Sequence, residues 1–362
     1  MRAVVVDPPH PGARLAEVAP PVLPTGEVRV RVLEVGVCGT DRDIAAGLYG
    51  TPPPGSSELI VGHENLGEVV ELGSGAAGPA VGTLVVATVR RGCGECRFCG
   101  SGRSDFCESG RFTERGISGR DGFMAEEYAD RPEYLVEVPA TLRRVAVLLE
   151  PLSVVEKACT EGLAILGRYE SAGVPPRRRP YRSLITGTGA IGMLAAFRLV
   201  LEGHEVTVID RHGPATAAAA LLARVGAQHV DVHDGLGALG GARFDLVIEA
   251  SGSAELDLEL IDTLAPNAAL VLTGIPSAGA PPLSVPAGRL LRGLVLENQA
   301  IVGSVNANRS FFEAGVRHLA ALQARFGPVA EGLITARRPL AEFADALSGK
   351  GSGTIKTVLA VG

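Results

Sequence analysis

A strand-like run at residues 183–186 leads straight into Gly187-Thr188-Gly189-Ala190-Ile191-Gly192, and a helical pattern follows over 191–202. Few passages restrict a fold as strongly. The first glycine permits the tight turn, the second lets an anion approach the backbone, and the third lets helix and strand pack closely. Free N–H groups and the dipole at the helix start then favour a phosphate or pyrophosphate. The next strand, 205–210, ends on Asp210, eighteen residues past Gly192 and placed to accept hydrogen bonds from an adenosine ribose. That favours NAD. Arg211 stands just beyond and is of the type that holds a 2′-phosphate, which keeps NADP open.

Strand-like runs recur at 229–232, 244–250, 269–274 and 300–305, with a further helix over 215–225. This alternation predicts an α/β unit with a doubly wound parallel sheet. The first 90 residues read differently. Runs at 2–6, 27–35, 66–72 and 83–89 are β-branched or alternating, and Pro/Gly clusters at 20–26, 51–55 and 73–82 separate them, as in an antiparallel, barrel-like region. Residues 142–166 look helical. Residues 174–180, with Arg177-Arg178-Arg179 between prolines, read as a solvated loop. A helix at 309–325 and a strand at 354–361 close the chain. At 362 residues it is too long for one core, so two domains are expected.

Net charge is −6 with a pI near 5.7, which argues against nucleic acid or an anionic membrane as partner. No run of about 18 apolar residues is present, and the amino terminus lacks the apolar length of a signal peptide. Six cysteines without an export signal point to a reducing, cytoplasmic setting, where they serve as metal ligands or core residues.

Four of them form Cys93-x2-Cys96-x2-Cys99-x7-Cys107 in a glycine-rich stretch. Such a lobe suits a tetrahedral soft-ligand ion, with zinc the common occupant. An iron–sulfur cluster is the competing reading and strained disulfides a third. A second constellation comprises Cys38 in Gly36-Val37-Cys38-Gly39-Thr40-Asp41, His63 and Glu64 after Gly62, and Glu150 before Pro151. A thiolate, an imidazole and a carboxylate on separate loops make a three-ligand zinc site with one open position, and the ion acts there as a Lewis acid on an alcohol oxygen. Cys159 reads as core. His10, His204, His212, His229, His233 and His318 read as surface or packing residues.

In that order, these motifs resemble the zinc-dependent medium-chain alcohol dehydrogenases over essentially the whole chain. Arg90-Arg91-Gly92-Cys93, Glu114-Arg115-Gly116-Ile117, Asp121-Gly122-Phe123-Met124-Ala125-Glu126 and Gly303-Ser304-Val305-Asn306-Ala307-Asn308 resemble the microbial glucose dehydrogenase branch. The resemblance implies a Rossmann sheet inserted into a split, mainly β, GroES-like catalytic domain. Its bounds would be 1–153 for the catalytic domain (lobe 90–110), 154–305 for the dinucleotide domain and 306–362 for the return. It further implies that Cys38, His63 and Glu64 hold a catalytic zinc, with Glu150 as a further ligand or as the holder of its water, and that Cys93, Cys96, Cys99 and Cys107 hold a structural one. Thr40 would relay the alcohol proton, while Thr40, Glu114, Glu150 and Asn306 would meet the sugar. Gly187 to Gly192, Asp210, Arg211, Ser304 and Asn306 would bind NAD or NADP. A homodimer or homotetramer is implied, with pairing between subunits around 283–305.

Two departures qualify the match. Relatives suited to NADP end the cofactor strand in a small or amide residue followed by arginines; here the run is Asp210-Arg211-His212. Some relatives place an asparagine before Arg-Arg-Gly to contact the sugar; here it is Val89. The expected activity is hydride transfer from a hydroxyl of an aldose, cyclitol or modified sugar to NAD(P). A polyol or secondary-alcohol dehydrogenase is the runner-up, and a non-catalytic dinucleotide sensor or a zinc-ribbon nucleic-acid binder are the alternatives from other classes.

Overall fold

The valine-rich run near the amino end forms strand Val28–Val37, the spine of one sheet in the computed structural model, which describes residues 1–169, 173–174, 180–276, 282–349, 351 and 353–362. Its residues pair antiparallel with Glu64–Leu72 on one side and with Glu127–Asp130 and Lys356–Ala360 on the other. The sheet order is Leu135–Glu137, Leu84–Ala87, Glu64–Leu72, Val28–Val37, Lys356–Ala360, Ile334–Pro339. Val28, Val30, Val32, Val35, Val69, Val85, Phe123 and Leu359 are buried in one cluster beneath it. Each contributes about 1.5–3 kcal/mol against exposure. Two small sheets flank it: His10–Glu17, Arg2–Asp7 and Leu59–Ile60 form one, and Arg90–Arg91, Thr113–Arg115 and Gly119–Arg120 the other.

The second large sheet is wholly parallel, in the order Gln228–Asp231, Glu205–Asp210, Arg182–Thr186, Phe244–Glu249, Leu264–Leu272, Ala300–Gly303. Leu184, Ile185, Val208, Leu246, Val247, Ile248, Leu270 and Val271 are each 0% exposed, the signature of strands covered on both faces. Chain direction across the sheet reverses beside Arg182–Thr186, the place where open α/β sheets bind ligands. The expected fold class, a Rossmann sheet inserted into a mainly β region, is what the chain forms.

Two units result: Met1–Ser153, Asn306–Ala320 and Ile334–Gly362 form the first, and Val154–Val305 with Ala321–Leu333 the second. Residues 321–333 are held in the second by local packing: Gly332 lies so close to Leu221 that an added Cβ would stand 2.7 Å from its Cδ2.

Several boundaries differ from expectation for identifiable reasons. The helix expected over 142–166 begins at Leu149, after 3-10 turns at Ala140–Leu142 and Ala146–Leu148. Pro151 lacks an N–H and is tolerated only in a first turn, which fixes the start. The strand expected at 269–274 spans Leu264–Leu272, with Asn267 at φ 64° and an irregular register beside it. Helices Gly39–Ala45, Ala254–Glu259 and Ala287–Leu296 were not anticipated. Most of the expected loop at 174–180 (175–179) lies outside the described residues. Among the described residues no helix is long and apolar enough to cross a membrane.

Candidate active site and metal centres

Strand Val28–Val37 delivers Cys38 to the amino end of helix Gly39–Ala45, where its N–H donates to Asp41 Oδ2 at 2.9 Å. The turn before Glu64–Leu72 delivers His63. Cys38 Sγ and His63 Nε2 lie 3.2 Å apart, and one ligand atom each from Cys38, His63 and Glu64 falls within 4.8 Å of the others. On the far side of the ring, His63 Nδ1 is 3.3 Å from Asp41 Oδ1, and Asp41 is fully buried. This carboxylate–histidine–ligand arrangement fixes ring orientation and raises ligand basicity. Burial alone would lower the His63 pKa, but the Cys38 sulfur and Asp41 outweigh it and hold it well above the ordinary value. A thiolate, an imidazole and a carboxylate at this spacing fit a zinc ion.

Glu64 has a partner that the motif did not predict. Lys356 Nζ, from the last strand, lies 2.6 and 2.7 Å from the two Glu64 oxygens, and both side chains are buried. Gly36 makes room for this pair, because a Cβ there would stand 1.9 Å from Glu64 Oε2. Glu150, in the first turn of Leu149–Leu166, is buried nearby but outside the three-atom cluster. Burial pushes its carboxyl up to about 7, with His63 pulling down and Glu64 pushing up. Thr40 sits in the first turn after Cys38.

In the lobe, one sulfur from each of Cys93, Cys96, Cys99 and Cys107 lies within 4.8 Å of the rest, and all six cysteines of the chain are free. Cys93 and Cys99 Sγ are 3.8 Å apart. That is the edge of a tetrahedron with Zn–S bonds of about 2.3 Å, whereas a cubane cluster would spread the thiolates further. Cys96 and Cys99 direct backbone N–H groups at Cys93 Sγ (3.4 Å) and Cys96 Sγ (3.5 Å). Ser109 and backbone donors lower the Cys93 thiol to about 6, while burial pushes Cys99 up to about 12.

Glu114 lies directly opposite Arg90 across two paired strands. Arg90 donates from Nε (3.0 Å) and Nη2 (2.9 Å) to Glu114 Oε1 and from Nη1 (3.1 Å) to the Asp105 carbonyl. Its guanidinium sits 3.9 Å from the centre of the Phe112 ring. Asn306 Nδ2 also donates to Glu114 Oε1, and Asn308 Nδ2 donates to Asp105 Oδ1 at 2.9 Å. Three donors thus converge on Oε1, leaving Oε2 free of protein donors among the described residues. Arg90, Asp105 and Lys356 are site residues that sequence reasoning missed.

In the second unit, Gly187 has φ +84° and its N–H bonds to Ile209 O at 2.8 Å. A Cβ on Gly192 would stand 2.0 Å from Gly187 O, so only glycine fits. Helix Ala190–Leu201 starts at Gly189. Asp210 ends its strand, Arg211 is exposed in the turn beyond, and Ser304 is buried, its N–H on Leu272 O at 2.9 Å. His212 and His229, read from sequence as surface or packing residues, both bond Asp210. Glu249, fully buried at the end of the adjacent strand, accepts from Thr186, Ser251, Gly252 and Gly274 and ties the rim together.

Residues 24–140 match the alcohol dehydrogenase GroES-like domain and residues 143–361 the glucose dehydrogenase C-terminus. With the parallel sheet and the cysteine–histidine–carboxylate cluster, these matches define a zinc-type medium-chain dehydrogenase. The chain belongs to the glucose dehydrogenase family. It is 41% identical to glucose 1-dehydrogenase 1 of Caldivirga maquilingensis over 363 residues, covering 100% of this chain and 99% of that one. It is 39% identical to glucose 1-dehydrogenase of Methanocella arvoryzae over 354 residues, covering 96% and 93%. Among solved structures, the Haloferax mediterranei glucose dehydrogenase in complex with NADP, Zn and gluconolactone superposes with a TM-score of 0.89 at 30% identity, covering 100% and 99%.

Proposed function

We propose that this protein is a zinc-dependent sugar dehydrogenase that transfers hydride from an aldose hydroxyl carbon, with C1 of glucose the leading candidate, to NAD or NADP. The observation that carries the sugar reading is Glu114, a carboxylate clamped on one oxygen and open on the other, in a chain 41% identical to a glucose 1-dehydrogenase along its length. A simple alcohol has no need of such an acceptor, while adjacent ring hydroxyls supply the donors it lacks.

Residues 1–153 and 306–362 would serve the substrate and residues 154–305 the dinucleotide. Cys38, His63, Glu64 and Glu150 would hold the catalytic zinc, and Cys93, Cys96, Cys99 and Cys107 the structural zinc. When bound, the catalytic ion supplies positive charge beside the reacting hydroxyl. Asp41 keeps His63 oriented for it. Thr40 would accept the hydroxyl proton as its own hydroxyl proton leaves toward solvent. Glu114 and Asn306 would hold the ring hydroxyls and fix the orientation of the sugar, which is positioning catalysis. The glycine loop holds the pyrophosphate against the start of Ala190–Leu201, with Asp210, Arg211 and Ser304 bordering the cofactor. A cytoplasmic homodimer or homotetramer is our reading of the assembly. Leu291, Val295, Leu296, Ile301 and Val305 are exposed apolar residues around the edge strand Ala300–Gly303, which supports association there.

Initial rates of zinc-loaded protein with aldoses, polyols and cyclitols test the reading. Oxidation of D-glucose or D-galactose well above all polyols is the expected result. Turnover of polyols alone would move the substrate, and Val89 is then the residue to examine.

A further inference from the structure

Given the dinucleotide reading proposed above, the adenosine end of the site departs from its sequence pattern in a way that bears on cofactor choice. A carboxylate at the end of this strand excludes NADP by keeping an unscreened oxygen for the ribose diol, where a 2′-phosphate would meet like charge. Asp210 is not free in that sense. Its Oδ1 takes the His212 backbone N–H at 2.9 Å and lies 3.0 Å from His229 Nε2. Its Oδ2 takes the Thr188 hydroxyl and lies 3.2 Å from His212 Nδ1. A carboxylate has about four lone-pair positions, so the glycine loop, the following turn and the neighbouring strand occupy all of them.

Of the three partner residues, His229 is the anchored one. It belongs to strand Gln228–Asp231, in register opposite Val208, and its side chain is buried, whereas that of His212 is 67% exposed. Asp231, opposite Asp210 in the same ladder, turns its Oδ1 to the His233 N–H at 2.9 Å. Arg211 stands exposed at the rim. The local field at the ribose edge is therefore that of a satisfied carboxylate beside a guanidinium. We infer that His229 is a specificity-determining residue: by holding and screening Asp210 it lets this site take NADP as well as NAD.

Titration of the purified protein with NADH and NADPH, followed by nicotinamide fluorescence, tests this without sugar or turnover. The native protein is expected to bind the two within about tenfold of each other. In His229→Leu, Oδ1 regains a lone pair for the ribose diol and loses its screening donor. NADPH should then weaken by about tenfold relative to NADH. His229→Gln, which restores a donor at the Nε2 position, should return the native ratio. If the leucine variant does not fold, His212→Ala removes an exposed donor and should lower the same ratio by a smaller factor. An unchanged ratio in the folded variants, or native NADPH binding more than about a hundredfold weaker than NADH, overturns the inference. Binding of neither cofactor would sink the dinucleotide reading itself, and the inference with it.

Discussion

Asp41 is not among the ligands expected from sequence, yet it holds the ring of His63 from behind. Replacing it with asparagine keeps the shape and removes the charge, so kcat/KM should fall about 10- to 100-fold with weaker zinc retention at that site only. Kinetics paired with metal analysis checks this, and unchanged values on both counts would contradict it. Arg90 supports Glu114, the proposed sugar-binding carboxylate. In Arg90→Gln, Glu114 loses two donors to Oε1, and the KM for sugar should rise about tenfold while kcat stays within about threefold. Arg90→Lys should fall between. Residues such as Cys38 and His63 were legible because glycine-bordered motifs announce them. Lys356 was not, because its partner Glu64 lies 292 positions away and no local pattern marks a buried lysine.

Among the elements, the central parallel strands Arg182–Thr186, Glu205–Asp210 and Phe244–Glu249 were readable almost to the residue because burial keeps their middles apolar. Pro266 and Asn267 interrupt that signal at the start of Leu264–Leu272. Helix Ala287–Leu296 was not readable, because Leu290 alone among its residues is buried and an exposed apolar face gives no clear signal of what it packs on. The helix start at Leu149 is legible from Pro151, because proline is tolerated only in a first turn. Gly192 offers the sharpest test at this scale. Gly192→Ala places a methyl 2.0 Å from Gly187 O, so the loop must open. A loss of about 2–3 kcal/mol in stability and at least about tenfold weaker NADH binding are expected. Thermal unfolding and cofactor titration measure both, and a variant that binds NADH normally would show that the loop does not need this approach.

Across the whole molecule, a buried ion cluster links the first unit to its solvent pH. Burial alone would raise the Asp130 carboxyl, but Arg91 and Arg115 outweigh it and hold it at about 2. Because the folded value lies below the unfolded one, this stabilisation is complete above about pH 4 and disappears as pH falls through about 2. It amounts to about 2 kcal/mol. Asp130→Asn should lower stability at neutral pH and flatten its acid dependence, which denaturant titration between pH 2 and 6 measures. The proposed association at the edge strand makes a further prediction: Ile301→Lys should shift sedimentation toward monomer, and an unchanged profile would contradict it. The most direct measurement of the central claim is oxidation of D-glucose by the same preparation before zinc removal, after chelation and after zinc is restored, with the product identified. One NAD(P)H per lactone is expected, lost on chelation and recovered with zinc. Undiminished turnover in zinc-free protein, or no lactone from any aldose with both metal sites filled, would contradict it.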